Sequence, residues 1–442
     1  MPGPPPTPVA SDQILPDAID VAVIGGGIIG SATALELAEM GHRVALFEKG
    51  EIAGEQSSRN WGWVRISLRD SRELPLMMEA VRTWEGYASR LEHPTGFTRC
   101  GILFAYGDAK TRESYARWQD HLAPYQVPSE ILDRKGLEAH LGGGSVPADG
   151  ALYTPNDARA EPQLAAPAVA KGARARGASI FTGCAVRSLD IEAGRVTGVI
   201  TEKGHVRCGA VVLAGGAWSR LFAGNAGIDL PQLKVLNTVL RTTPVDGGPE
   251  TSLWTDDMAW RRRSDRGYTI ADGGSNLHGI TPDSFRQFRR FLPALRENAA
   301  SVTPRLDGRF LQELREKRRW LPDEVTAFEQ TRILDPTPDA RRLKRFWARA
   351  QRAVPAFAQA NIAQSWGGMI DVTPDAIPVM SETRTPGFFI ATGFSGHGFG
   401  IGPGAGRLMA DLVTGRTPVV DSTPYRLTRF FDGSPIILDG GF

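Results

Sequence analysis

The chain has 442 residues, 41% of them hydrophobic, so it can bury a large core and divides most naturally into two or three structural domains. Its 51 basic and 49 acidic residues leave a formal charge of +2, which removes the electrostatic case for nucleic acid as a main partner. Three widely spaced cysteines, Cys100, Cys184 and Cys208, include no C-x-x-C pair; neither a disulfide framework nor a metal site is expected, and this usage fits a reducing, cytoplasmic setting.

Residues 1–18 are proline-rich and read as a disordered lead-in with no targeting pattern. A β-branched run at 20–24 then enters Gly25-Gly26-Gly27-Ile28-Ile29-Gly30 and an alanine- and leucine-rich helix ending near Met40. Strand, glycine turn and helix in this order form a dinucleotide fingerprint. Gly25 allows the tight turn, Gly27 lets backbone approach a pyrophosphate at the helix N-terminus, and Gly30 packs helix on strand. A second strand at 44–47 ends in Glu48, whose carboxylate is placed for the adenosine ribose hydroxyls. This much fits NAD and FAD equally.

Two later segments decide for FAD. A strand at 179–181 is followed by a hairpin, 195–201 with 205–213, turning at Lys203-Gly204. Ala214-Gly215-Gly216-Ala217-Trp218 then returns the chain to the dinucleotide sheet. Near the C-terminus a strand at 388–392 runs into Gly393-Phe394-Ser395-Gly396-His397-Gly398-Phe399-Gly400 and a helix reaching Val413. A helix N-terminus here would stabilise the negative charge that reduced flavin carries near N1 and its C2 carbonyl. His397 either faces the flavin or satisfies backbone groups of the turn.

Taken together, these segments resemble the D-amino acid oxidase, glycine oxidase and sarcosine oxidase superfamily. The motifs Glu48-Lys49-Gly50, Ile52-Ala53-Gly54-Glu55-Gln56-Ser57-Ser58-Arg59, Thr201-Glu202-Lys203-Gly204 and Ala214 through Phe222 are most similar to the bacterial L-amino acid deaminases. So are Asp323-Glu324-Val325, Phe328-Glu329-Gln330 and Pro374-Asp375 with Pro378. The resemblance implies FAD held by Lys49, Ser57, Ser58, Arg59 and Val186 besides the glycine turns, Glu48 and Trp218. It implies hydride transfer from an amino acid to flavin N5, giving an imino acid that hydrolyses to a 2-oxo acid and ammonia, with no certain catalytic side chain. In the deaminases an arginine seven residues before a tyrosine binds the substrate carboxylate; Arg261 stands so before Tyr268, and Arg263 shares its strand face. Where they place a glutamine near the substrate this chain has Trp63, so the pocket is remodelled; Trp61, Trp63 and Arg65 either line it or are core aromatics with a surface arginine, and His397 is a further substrate-site candidate. Sarcosine oxidases bond their flavin to a cysteine; Gly368 occupies that position, so the FAD is expected to be non-covalent.

The expected architecture is α/β with an α+β second domain: a Rossmann-type FAD-binding domain of the glutathione-reductase-like kind from 19–95, 155–235 and 365–418, and a substrate domain on an antiparallel sheet from 96–154 and 236–364. Residues 419–442 form a C-terminal tail. A helical pair is expected at 281–320, where ten Arg or Lys stand against five Asp or Glu. Its Phe285, Phe288, Leu292, Leu295, Phe310 and Leu314 recur at helical spacing and read either as a core-facing cover or as a peripheral membrane contact. Competing readings are a D-amino acid or secondary-amine dehydrogenase, an NAD-dependent reductase, and a flavin-bound protein without turnover; oxygen, a quinone or a protein carrier would take the electrons.

Overall fold

Short β-branched runs with no polar side chain build the central layer. Strands Val21–Ile24, Val44–Phe47 and Ala210–Leu213 are buried at almost every position, as strands covered on both faces must be. They belong to a six-stranded sheet whose order is Val379–Glu382, Phe388–Thr392, Ala210–Leu213, Val21–Ile24, Val44–Phe47, Ser179–Phe181. All pairings are parallel except the first, where Val379 faces Thr392 antiparallel. The computed structural model describes residues 3–274, 276–297 and 302–439.

Helix Ile28–Glu39 covers this sheet and is crossed by helix Gly398–Thr414. Backbones approach closely there: a Cβ on Gly406 would lie 2.6 Å from the carbonyl carbon of Ala32. Gly25 turns the chain at φ +107, and a Cβ on it would overlap the carbonyl oxygen of Ala214. The two glycine-rich ends expected from the sequence are thereby brought side by side at the C-terminal edge of the parallel strands, where such sheets bind ligands.

The second layer is a mixed ten-stranded sheet centred on the long strand Leu233–Thr242, which pairs antiparallel with Ile362–Val372 over most of its length. Strand Ser252–Trp254 pairs parallel with Ile102–Tyr106 and antiparallel with Ala259–Arg262, joining the two stretches assigned to the substrate domain. The proline-rich lead-in differs from its expected disorder. Thr7 and Asp12 donate backbone hydrogen bonds to Gln163 and Ile180, and Arg174 pairs with the Asp12 carboxylate at 2.5 Å.

The region 281–320 is built of helices Pro282–Arg286, Phe288–Glu297 and Arg309–Arg315 with strand Val302–Arg305; residues 298–301 lie outside the described residues. Of the apolar residues expected on its covered face, Phe285, Phe288 and Leu314 are 68%, 52% and 56% exposed, and only the neighbouring Phe291 is buried. The stripe is thus covered in part: Leu292 and Phe310 are half-buried and Leu295 is 49% exposed. Phe285 meets the Phe310 ring edge to face at 6.4 Å between centroids, while Phe291, Ala294 and Leu295 turn to a cavity described below.

Candidate active site

The turn from Gly25 to Gly30 opens helix Ile28–Glu39 and walls a cleft that Ala214, Gly215, Gly216 and Trp218 close from the other side. The cleft suits a pyrophosphate, because side chains are kept out of it: a Cβ on Gly27 would come 2.9 Å from Ser57 Oγ. Ser57 Oγ in turn accepts from the Ile28 amide at 2.9 Å, fixing the helix start. Glu48 is held at the end of its strand by the amides of Gly26 and Gly50, each donating at 2.7 Å. Burial pushes its carboxyl above the usual range, so further donors such as ribose hydroxyls would stabilise its charge. Lys49 donates to Glu55 at 2.6 Å and to the carbonyls of Thr331 and Arg332, and lies over the Trp218 ring at 4.6 Å.

Most residues expected at the cofactor line this cleft, including Ile28, Ile29, Val186, Phe394, Gly396 and Gly398. Others stand behind it. Gly30 is pressed against the Gly25 carbonyl, Ser58 is buried, and Gly393 donates its amide to Asp371 at 2.7 Å. Arg59 turns away to pair with Asp335 at 2.5 Å. Phe328, named above only as part of a resemblance motif, and Arg332 also reach the rim, from a stretch with no dinucleotide signature.

A second cavity of about 970 Å³ adjoins the first and shares Gln56, Asn60, Ile370, Gly396 and Phe399 with it. Trp61, Trp63, Phe104, Tyr115 and Trp254 make its walls aromatic, and Arg65, Arg69, Glu73 and His397 supply charge and polarity. The rings interlock edge to face, Trp63 with Trp61 at 5.2 Å and with Phe104 at 6.0 Å between centroids. Arg65 lies over the Phe104 ring at 5.6 Å and donates to the Ser67 carbonyl at 2.5 Å. Arg69 pairs with Glu73 at 3.7 Å and donates to the His397 carbonyl at 3.2 Å.

Burial and then repulsion from Arg69 hold the Arg65 guanidinium below its ordinary range, so an arriving anion would relieve it. Burial also drives His397 down to about 4 despite Glu73 at 3.4 Å, which keeps the imidazole neutral near pH 7. Asp157, pushed up to about 6 by burial, accepts from the Ile66 amide at 2.6 Å and from Ser67, pinning the loop that carries Arg65. Arg69, Glu73 and Phe104 were not picked out from the sequence. The four-residue spacing from Arg65 to Arg69 was the available signal for the first of these.

Arg261 is placed differently from its expected role. Its fork meets both carboxylate oxygens of Glu161 at 2.9 and 3.0 Å, its Nε donates to the Trp61 carbonyl, and it does not line the cavity. Arg263 is likewise off the cavity, paired with Asp265 at 3.1 Å. Arg261 acts as a strut between strand Ala259–Arg262 and the segment before helix Pro162–Ala175, and neither arginine stands where a substrate carboxylate in the cavity would meet it.

Where the two cavities meet, a Cβ on Gly368 would come 2.7 Å from the Gln56 Oε1, and none of the three cysteines lines either cavity. Precipitating the holoprotein with acid is therefore expected to leave the yellow colour in the supernatant; colour in the pellet would contradict non-covalent binding.

The chain belongs to the DAO family of FAD dependent oxidoreductases, which matches residues 20–412. It is an enzyme of the FAD-dependent amino acid or amine oxidase and dehydrogenase kind, and FAD is its cofactor. This sets aside the NAD-dependent and non-catalytic alternatives. Among solved structures it is similar to an L-amino acid deaminase from Proteus myxofaciens in complex with anthranilate, at 32% identity and a TM-score of 0.93 over 97% of each chain. It is 26% identical over 440 residues to 4-methylaminobutanoate oxidase (formaldehyde-forming) of Paenarthrobacter nicotinovorans, covering 95% of itself but 46% of that protein. With the sarcosine oxidase subunit beta of Arthrobacter sp it shares 25% identity over 428 residues, covering 94% and 91%.

Proposed function

We propose that the chain oxidises the C–N bond of a free amino acid, releasing an imino acid that water converts to a 2-oxo acid and ammonia. The observation that carries this reading is the aromatic cavity, opening on the dinucleotide cleft and bearing the buried guanidinium of Arg65. When bound, FAD supplies the two-electron acceptor for the hydride leaving Cα. The protein's task is then to orient and to exclude water. Arg65 takes the substrate carboxylate, Trp61 and Trp63 wall the side chain, and neutral His397 sits beside the turn that both cavities share. Glu48, Ser57 and the glycine turns hold the cofactor. The similar Proteus protein holds anthranilate, a carboxylate next to an amino group, which supports this class of ligand.

The names of the two oxidase relatives favour a second reading, oxidation of a secondary amine. Anaerobic mixing with a panel of L- and D-amino acids and N-methyl amines separates them. Bleaching of the flavin with release of 2-oxo acid and ammonia is expected from an amino acid. Bleaching by N-methyl amines alone would replace the proposal with the second reading. The same experiment repeated with oxygen or a soluble quinone identifies the electron acceptor.

A peripheral membrane contact through residues 281–320 is supported by the exposed phenylalanines and leucines there, set among arginines. No helix among the described residues is long and apolar enough to cross a membrane. The protein is expected to co-sediment with anionic vesicles at low salt and to be released at high salt. Absence from the low-salt pellet would rule the contact out.

A further inference from the structure

Trp63 begins the short strand Trp63–Val64 and runs past the first turn of helix Gly398–Thr414, where a Cβ on Gly400 would lie 3.0 Å from the Trp63 carbonyl oxygen. The residue is 9% exposed, yet its indole N–H has no hydrogen-bond partner among the described residues. Other tryptophans differ. Trp61 donates to Asn237 at 3.3 Å, Trp254 to the Gly273 carbonyl at 2.9 Å and Trp260 to the Thr251 carbonyl at 3.2 Å. A buried donor left without a partner is costly, and native proteins keep few of them except where a ligand completes the bond.

Trp63 lines the 970 Å³ cavity, so that space is the nearest source of an acceptor for this bond. Its surroundings say what kind of acceptor. Arg65, two residues on, lines the same cavity, and both side chains lie against Phe104, the indole at 6.0 Å between centroids and the guanidinium at 5.6 Å. A neutral N–H and a cation flanking one ring match a group that only accepts and carries negative charge. That group is a carboxylate, whose two oxygens can take one donor each. A hydroxyl can accept from the N–H but brings no charge to answer the cation, and an ammonium is repelled by it and cannot accept.

We infer that the Trp63 indole N–H donates to the substrate carboxylate beside Arg65, making Trp63 a specificity-determining residue for carboxylate-bearing substrates. The inference rests on the amino acid reading for the substrate but not for its test. The guanidinium supplies the charge, and the indole supplies direction. Rotation of the carboxylate about its bond to Cα is limited when a second, fixed donor stands apart from the first.

The test uses the FAD-loaded protein, with anthranilate as the carboxylate probe and aniline as the same ring without it, titrated by the change in flavin absorbance. Trp63→Phe keeps a ring against Trp61 and Phe104 and removes the donor; the ring volume lost with it is felt by both probes and is read from aniline. Its dissociation constant for anthranilate is expected to rise about 10-fold or more, as loss of a hydrogen bond to a charged group implies. Binding of aniline should change less than about 2-fold on the same scale. Trp61→Phe, whose donor already serves Asn237, should show no selective loss for anthranilate. Equal weakening of both probes by Trp63→Phe, no weakening, or a wild-type protein blind to anthranilate would each overturn the inference. The wild-type protein gives an independent reading should the variant fail to hold flavin: with 15N-labelled tryptophan, anthranilate and not aniline moves one indole N–H resonance downfield, and no such shift also overturns it. Anaerobic bleaching by amino acids is scored separately. Selective loss of anthranilate without bleaching leaves the donor standing and removes the amino acid reading, and the reverse outcome does the opposite.

Discussion

Glu161→Ala is expected to lower the stability of the fold by about 3–5 kcal/mol, the usual result of breaking a buried ion pair from one side. Glu161 and Arg261 are 3% and 1% exposed and share two hydrogen bonds, and Glu161 also accepts from the Ser264 amide at 2.8 Å. Arg159 stands 3.6 Å away and the charge of Arg263 is felt as well, so removing the one carboxylate leaves several guanidinium groups facing each other out of water. Arg261→Ala should cost less, because Arg159 still balances Glu161. Replacing both residues, Glu161→Leu with Arg261→Met, should recover much of the loss, since two well-packed apolar groups avoid both desolvation penalties. Acid tests the same pair. Burial alone would raise the Glu161 carboxyl, but the charge and hydrogen bonds of Arg261 hold it below its ordinary value. The folded-state value is thus below the unfolded one, so the pair's contribution is complete above the ordinary carboxylate range and is lost as pH falls through the folded-state value. Urea unfolding at neutral pH checks the prediction; a loss under about 1 kcal/mol for Glu161→Ala, as for an exposed pair, would contradict the structural role assigned to Arg261.

That pair also shows where sequence reading ended. The turn from Gly25 to Gly30, Glu48 and the turn from Gly393 to Gly400 were legible because their chemistry is local: a few residues in fixed spacing make the bend, the anion site and the acid at a strand end. Arg261 was misplaced because its partner lies 100 positions upstream and reaches it only through tertiary packing. The spacing to Tyr268 carries no information about what the guanidinium meets. Trp63 and Arg65 were recognised as cavity residues from the resemblance, but Phe104, which both touch, depends on the parallel pairing of Ile102–Tyr106 with Ser252–Trp254, and no local pattern announces that pairing. In the stretch 281–320 periodicity places Phe285 and Phe288 on one helix, whereas the chain breaks between them into two helices, and spacing alone could not say what covers either.

Arg65→Met is expected to lower kcat/KM for the best amino acid by about 2–5 kcal/mol in transition-state free energy, the range for removing one partner of a desolvated charge pair. The argument begins with placement. Arg65 lines the cavity, is 6% exposed, and shares its surroundings with a second guanidinium, that of Arg69. Asp157 and Glu73 act on the Arg65 charge from nearby, and Arg65 lies against the repelling Arg69 in a low-dielectric setting, where an arriving carboxylate would interact strongly with it. Methionine fills a similar volume over Phe104 and removes the charge, which separates loss of recognition from loss of packing. Arg65→Lys should recover little, because an ammonium does not offer the planar fork that takes both carboxylate oxygens. The decarboxylated amine is the control: its rate of anaerobic flavin reduction should be the same for wild type and Arg65→Met, or higher in the variant, since the cation repels an ammonium that lacks a carboxylate. FAD content, read from the absorbance ratio of flavin to protein, should stay unchanged because Arg65 does not line the dinucleotide cleft. Equal losses for amino acid and amine would mean that Arg65 positions the wall rather than the carboxylate, and the anchor would then have to be sought at Arg69, the other guanidinium on the same cavity.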